Sequence, residues 1–494
     1  MTGAPVRQRV PGLVDLSATA RALLDAVRAA GGRPYLVGGS VRDALLHPGR
    51  RPKDVDVEVF GLALDPLVES LSAVGQVDEV GRAFAVLKLR RGGEDFDVSL
   101  PRTEVKSGPG HTGFTVVADP ATPPRVAAGR RDFTLNALMY DPVAEEVLDF
   151  SGGLADLRAG VLRHTTAAFA EDPLRVLRGA QFAARFGFRF APETAALCRS
   201  LAPAYRELPT ERVWGEWRKI GEKGVHVGAA LAALDDAGWL GHFPQLARLA
   251  GVPQDPRWHP EGDVLTHSGL AADAAARLAD AAGMTGDDRT VVVLGALVHD
   301  VGKASHTQVR ADGRITSYGH AGAGVSPAEE FLSGIGAPPG LIARITPIVR
   351  EHMVATGVEG RPRAAVVRRL ARRLAPATIG EWSLVCGGDH AGRGAGSGPN
   401  PTIGWAEVAE EVGVAERPGK LLLRGTDLMA LGHSPGPQYA PVMTAALDAQ
   451  DDGAFTDHAG AVEWLAMAAA DGRLDAWLAQ GPTDRALPGG APTG

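Results

Sequence analysis

The sequence predicts an α+β protein, with a small mixed α/β unit near its N-terminal end and an extended all-α body after it. Three observations carry that reading. Tyr35–Val37, Val55–Phe60, Ala83–Arg90 and Phe96–Leu100 are short apolar segments of strand character, set off by turn residues. From Leu154 to about Ala479 the apolar residues recur almost throughout at helical spacing. A chain of 494 residues is also too long for one core, so several domains are expected.

Taken in order, residues 13–30 form a predicted helix that stops at Gly31-Gly32, inside an N-terminal segment 1–30. The α/β unit occupies 31–150, with a helix expected over Pro66–Val74. A helical neck spans 151–252, and Pro253–Pro260 reads as a linker. A histidine-bearing helical block covers 260–393, the segment Arg393–Gly404 reads as a flexible break, and helices resume over 404–480. Residues 481–494 read as a disordered tail.

Composition narrows the function. No apolar run approaches twenty residues, which predicts no membrane span, and MTGAPVRQRVPG lacks a signal peptide's apolar core, so a cytoplasmic location is expected. Two cysteines, Cys198 and Cys386, exclude a disulfide framework or zinc ribbon. A formal net charge of −7 leaves any RNA contact to local basic patches. Arg212, Arg218, Lys219 and Lys223 form one, and Arg368, Arg369, Arg372 and Arg373 another; each reads equally as a solvated helix face. No protein partner is evident.

The chemistry begins in YLVGGSVRDALLHPGRRPKDVDVEV, Tyr35–Val59. Gly38 and Gly39 leave backbone amides open at a helix start, a cradle for phosphate. Asp54, Asp56 and Glu58 alternate onto one strand face, where neighbouring carboxylates call for a divalent metal. Asp97 and Glu58 are both candidates for a third carboxylate. Arg130 and Arg131, before a predicted helix, can neutralise a triphosphate or simply salt-bridge that helix start. In EDPLRVLR, Asp172 reads as an N-cap, with Arg175 and Arg178 following one turn apart. Together they can offer an acceptor and donors to the edge of a base, or Asp172 merely caps and Arg175 pairs with it.

These motifs, LVGGSVRDALL…DVDV, RRDFTLNALMYDP and EDPLRVLRGAQFAARFGF in this order, resemble the class II tRNA nucleotidyltransferase and poly(A) polymerase family, whose best-known members are CCA-adding enzymes. DVSLPRTEVKSGPGHTGFTVVADP, with Arg102, Glu104 and a Gly-rich loop over Lys106–Gly113, also looks like a motif of its head. The resemblance implies a polymerase-β-like nucleotidyltransferase head. Asp54 and Asp56 would hold Mg²⁺ and carry catalysis, and Gly39 and Arg42 would hold the triphosphate. Arg130 and Arg131 would contact nucleotide, and Asp172 and Arg175, supported by Arg178, would select CTP or ATP. The implied partner is tRNA. CC-only, A-only or poly(A) addition is the alternative within the family. Where many members carry another arginine, this chain has Gln181, and Arg185 is the candidate replacement.

A second constellation lies downstream. His267, the pair His299-Asp300 in HDVGK, and Asp389 form the pattern of an HD-type metal phosphohydrolase, with Lys303 placed for phosphate. His299 and Asp300 can both ligate only near a helix end, which Gly302 is expected to supply. His320 and His352 are candidates for a second metal. Such ligands suit Mn, Ni, Co, Fe or Mg. A chain whose main activity is that of a cyclic phosphodiesterase or phosphatase, using the head to position RNA, is the alternative from another class; a non-catalytic tRNA-binding protein is the third.

Overall fold

The computed structural model describes residues 4–49, 55–81, 86–106, 114–358, 360–394 and 400–480. Asp54, the start of the strand expected at Ala83, the Glu104 side chain, the loop to Gly113 and the tail 481–494 lie outside the described residues. The chain forms two units, Met1–Glu216 with Ala229–His242, and Trp217–Gly228 with Phe243–Gly494.

The first unit is built on a mixed sheet. Its strands are β1 (Val6–Arg9), β2 (Arg33–Val37), β3 (Val55–Phe60), β4 (Gln76–Gly81), β5 (Val86–Arg91) and β6 (Glu94–Ser99), with β7 (Arg102–Lys106) and β8 (Phe114–Ala118) paired as a separate hairpin. β9 (Met139–Asp141) and β10 (Glu146–Asp149) complete the order β1-β10-β9-β2-β3-β6-β5-β4, in which β3 and β6 run parallel. β1 and the pair β9 and β10 were not expected from sequence. They are three or four residues long, too short to show a period.

Strand alternation divides the sheet's faces. Val57 and Val59 turn to one side, where α1 (Ala18–Ala29) and α3 (Leu64–Ser72) pack. Val37, Phe60, Met139 and Leu148 build a core on the other side with Ala127 and Ala128 of α4 (Pro124–Gly129). Asp56 and Glu58 share that second face with Phe60. α2 (Gly39–Leu46) follows β2 directly. Beyond the sheet come α5 (Gly153–Ala159), α6 (Leu174–Phe186) and α7 (Pro192–Ser200), while α8 (Thr210–Lys223) and α9 (Val227–Asp236) span the division between units.

The second unit is helical: α10 (Pro244–Ala247), α11 (Val264–Ala281), α12 (Gly286–Val298), α13 (Lys303–His306), α14 (His320–Ala323), α15 (Val325–Gly334), α16 (Pro339–Glu351), α17 (Ala364–Leu374) and α18 (Ile379–Gly392), then α19 (Ile403–Glu411), α20 (Gly425–Ala430), α21 (Tyr439–Asp451), α22 (His458–Ala470) and α23 (Arg473–Leu478). A Thr378/Glu381 capping box starts α18. Its Gly388 faces α11 so closely that a Cβ there would lie 2.6 Å from Ala275 Cβ and 2.8 Å from Ala271 O. The small residues of AADAAA and CGGDHAG thus let two helices approach, which brings their polar residues within bonding distance. Leu428, Val442, Ala446, Phe455 and Trp464 form the core of the last helices.

Candidate active site and metal centre

In the head, β2 leads into Gly38, whose φ of 71° and ψ of −133° suit only glycine. A Cβ on Gly38 would lie 3.3 Å from Arg131 Nη1 and 3.4 Å from Asp56 Oδ2, so glycine leaves the space between a cation and a carboxylate open. No side chain caps the amides that begin α2, which start directly after Gly38.

Register sets the carboxylates. Asp56 pairs with Val37 across β2–β3 and with Asp97 across the parallel β3–β6 ladder, so Asp56 and Asp97 stand side by side on one face. Lys88 follows on β5, 3.9 Å from Asp97, whose side chain is 56% exposed. Glu58 is different. It is fully buried, and its two oxygens lie 3.2 Å from Arg130 Nη2 and 3.2 Å from Arg131 Nη2. It anchors both arginines that follow α4, which leaves Asp97 as the carboxylate beside Asp56. Burial pulls the Arg130 guanidinium down from its ordinary range, and Glu58 opposes that.

A polar chain links the glycine turn to the neck. Arg42 is buried against the rings of Phe182 and Phe186, donates to Asn136 Oδ1 at 2.6 Å and pairs with Asp43. Asn136 donates to Asp132 at 2.9 Å, and Arg178 Nε donates to the same carboxylate at 2.9 Å. Burial works to raise the Asp132 carboxyl, but Arg178 and Asn136 outweigh it and hold the pKa below the usual value. Arg185 bonds Asp43 at 2.7 Å, next to Arg42, while Gln181 is buried. Asp43, Asp132 and Asn136 were visible inside quoted motifs but had no assigned role.

The helix α6 is assigned from Leu174, yet Asp172 still acts as its cap: Oδ1 accepts from Leu174 N at 3.2 Å. Its other oxygen takes Arg212 Nη2 at 2.8 Å. The Arg175 guanidinium goes elsewhere than the Asp172 carboxylate, donating to the carbonyls of Ala168 at 2.6 Å and Arg130 at 3.1 Å.

Of the two basic patches, Arg212 is therefore engaged by Asp172, and Arg218 by Glu222 at 2.8 Å. The second patch is bound within the protein. Arg369 meets Asp452 at 2.6 Å, Arg372 meets Asp448 and Asp451, Arg373 meets Glu351 at 3.0 Å, and Arg368 donates to the Asp451 carbonyl at 2.9 Å.

In the second unit all the expected HD residues converge. α12 ends at Val298, so Gly302 does not supply its end as expected but precedes α13 with φ −68°; His299 and Asp300 follow α12 directly and are buried. His299, His320 and His352 share one arrangement: Nδ1 donates to the carbonyl three residues back, at 2.7 Å (Ala296), 2.6 Å (Ser317) and 2.6 Å (Val349). Each thus directs Nε2 at acidic oxygens. His320 Nε2 is 3.1 Å and His352 Nε2 3.7 Å from Asp300 Oδ1, while His299 Nε2 is 3.2 Å from Asp300 Oδ2 and 3.7 Å from Asp389 Oδ1. His267 Nε2 lies 3.0 Å from Asp389 Oδ1, and its Nδ1 is held by Glu261 at 2.6 Å.

These residues fit a divalent metal. His299 Nε2 is buried with no partner in hydrogen-bond geometry, although two carboxylates face it. An imidazole lone pair facing two anions is repelled unless a cation, proton or metal, lies between them. Burial would lower the His299 pKa, but Asp300 and then Asp389 push it up to about 10. Burial would raise Asp300, yet His299 and Lys303 hold it well below the carboxylate range. Among the described residues three sets of ligand atoms lie close enough to hold an ion: His267, His299 and Asp389; His299, Asp300 and His352; and, at the edge of the centre, His259, Glu261 and His267. Sequence reading missed Glu261 and Gln254, which accepts from Lys303 Nζ at 2.9 Å. His259, which also bonds Glu261 at 2.9 Å, and Gln254 lie in the expected linker, which is therefore part of the centre's surroundings.

Residues 34–163 match the model of the poly A polymerase head domain, and residues 264–376 that of the HD domain. The chain is 38% identical over 371 residues to the multifunctional CCA protein of Xanthomonas campestris pv. campestris (strain B100), covering 73% of this chain and 85% of that one. It is 36% identical over 425 residues to that of Xanthomonas axonopodis pv. citri (strain 306), covering 83% and 96%. In fold it resembles the Bacillus stearothermophilus CCA-adding enzyme in complex with CTP (TM-score 0.61, 20% identity, 93% of this chain and 100% of that one). The Thermotoga maritima CCA-adding enzyme complexed with tRNA_CCA is also similar (TM-score 0.56, 18% identity, 94% and 99%). Head motifs, HD cluster and relatives agree: the chain belongs to the multifunctional CCA protein family of tRNA nucleotidyltransferases.

Proposed function

We propose that this protein builds or repairs the 3′ CCA end of tRNA from CTP and ATP without a nucleic-acid template, and that its HD centre hydrolyses phosphoesters. The observation that carries the first part is the open space at Gly38, between Arg131 and Asp56, with Asp97 beside Asp56. Asp54 and Asp56 would hold Mg²⁺, with Asp97 as third carboxylate; bound there, the ion lowers the pKa of the attacking 3′-hydroxyl and neutralises phosphate charge. The α2 amides and Gly39 seat the triphosphate, and Arg42, Arg130 and Arg131 stabilise charge on the departing pyrophosphate. Asp172 and Arg175 read the base edge once each exchanges its present partner for the nucleotide, with Arg178 fixing the helix that carries them.

We assign the head to 31–150, the neck to 151–252, the HD domain to 260–393 and the C-terminal body to 404–480, and the cytoplasm as location. Among the described residues no helix is long and apolar enough to cross a membrane. At the HD centre, His267, His299, Asp300 and Asp389 would hold the first metal, and His320 and His352 a second. Mn, Ni, Co, Fe and Mg all suit these donors.

The test supplies tRNAs lacking CCA, or ending in C or CC, with CTP and ATP separately and together, and sequences the products. Complete CCA is expected. CC-only, A-only or poly(A) products would redirect the reading, and addition retained by Asp56→Ala would sink the active-site assignment. Metal-dependent turnover of 2′,3′-cyclic nucleotides, abolished in His299→Ala, is expected of the HD centre.

A further inference from the structure

Each acidic metal ligand of the HD centre is held by a cation from its own segment. Lys303 Nζ lies 2.7 Å from Asp300 Oδ2, three residues away. Arg393 Nη2 lies 3.0 Å from both oxygens of Asp389, four residues away, one turn along and past the end of α18. The two cations are not equivalent. Lys303 is almost fully buried and has a second partner in Gln254, so it is fixed in place. Arg393 is about a quarter exposed, and its Nε is a buried donor with no hydrogen-bond partner. It grips Asp389 through one nitrogen of a five-donor fork.

We propose that Arg393 is the substrate-phosphate ligand of the HD centre, masked by Asp389 until a metal takes that carboxylate. This rests on the metal-centre reading above. Asp389 Oδ1 is the atom that His267 and His299 also approach, so it is the oxygen a metal would share with them. A metal at that oxygen draws negative charge away from the guanidinium and leaves two positive groups side by side. The arrangement favours an anion that bridges them, and a guanidinium fork matches two oxygens of a phosphate. The class of ligand is therefore a phosphomonoester or phosphodiester, which offers one oxygen to the metal and the others to Arg393. Metal and phosphate bind with positive coupling, because each removes what repels the other.

The test uses the full-length protein and calorimetry with Mn²⁺ alone, then inorganic phosphate with and without Mn²⁺. Wild type is expected to bind phosphate only when loaded with Mn²⁺. Arg393→Gln removes Asp389's competing cation, so it should bind Mn²⁺ more tightly while losing about tenfold or more of the phosphate affinity, the value of a charge-assisted hydrogen bond. Arg393→Lys keeps the charge and should recover part of the phosphate affinity. A purely structural role would weaken Mn²⁺ binding in Arg393→Gln and leave the phosphate affinity at saturating Mn²⁺ unchanged, which overturns the proposal. Phosphate binding of equal strength without Mn²⁺ overturns the masking. Wild type that takes up no Mn²⁺, indistinguishable from His299→Ala, overturns the metal-centre reading itself, a separate failure.

Discussion

Glu58→Gln separates an anchor from a metal ligand. Glu58 is fully buried and stands between Arg130 and Arg131, each 3.2 Å away and each 20% exposed. Removing one partner of a buried ion pair typically costs about 3–5 kcal/mol, because the remaining charge stays buried without compensation. Glutamine keeps an acceptor and some solvent reaches the guanidinia, so about 2–3 kcal/mol is expected here. At 1.36 kcal/mol per decade, that is roughly thirty- to one-hundred-and-fifty-fold faster opening of the surrounding backbone. Hydrogen exchange followed by mass spectrometry on peptides covering 55–60 and 130–141 reads this locally, without assuming that the whole chain unfolds in one step. Addition should fall because the arginines lose their placement, while its Mg²⁺ midpoint stays where it is. Unchanged exchange together with a shifted Mg²⁺ midpoint would make Glu58 a ligand and refute the anchoring argument.

Asp172→Ala should relax the choice of CTP and ATP over other nucleotides; intact discrimination would reduce Asp172 to a cap. Arg212→Ala frees the Asp172 carboxylate and should alter the KM for nucleotide more than kcat, measured by single-nucleotide addition; equal change in both would count against a hold on Asp172. Because the facing carboxylates push the His299 pKa up to about 10 and hold that of His267 above its usual value, metal binding at pH 7 should release at least about one proton and strengthen as pH rises. Calorimetry in buffers of different ionisation enthalpy counts that proton, and a count of zero would contradict the facing of His299 by two carboxylates. Burial pushes the Cys198 thiol up to about 12, so the reactive thiolate is scarce at pH 8 and dominates only above pH 12. A disulfide dye should leave Cys198 unlabelled until the protein unfolds; prompt labelling of the native protein refutes its burial.

Legibility in the sequence followed the range of the interaction. The glycine turn, the strand carrying Asp56 and the clustered HD residues are local patterns whose residue types suit phosphate or metal chemistry, and they were readable one motif at a time. Glu58 and Asp97 were not separable, because the distinction depends on the register of β3 with β6 and on where α4 delivers two arginines. Arg42, Asn136, Asp132 and Arg178 each lay in a recognised motif, but their joining spans most of the first unit and no spacing encodes it. Gln254 and His259 were passed over because a proline-rich stretch reads as a connection even where it lines a site. Arg368–Arg373 misled in the opposite sense. Their amphipathic pattern was real, but the acidic end of α21 that meets Arg368, Arg369 and Arg372 lies some eighty residues away.

That seam changes how an ionic-strength titration of tRNA affinity should be counted. A cation that already holds a protein carboxylate neutralises no phosphate and so releases none of the RNA's condensed counterions, which means it adds little to the slope of log K against log salt. Each arginine that truly neutralises a backbone charge would contribute about 0.7–0.9 to that slope. Adding Arg369, Arg372 and Arg373 would therefore overstate it by about two to three. The electrolyte would act on them instead as a solvent for the body's own stitching, loosening α17 from α21 while the RNA-facing surface registers nothing.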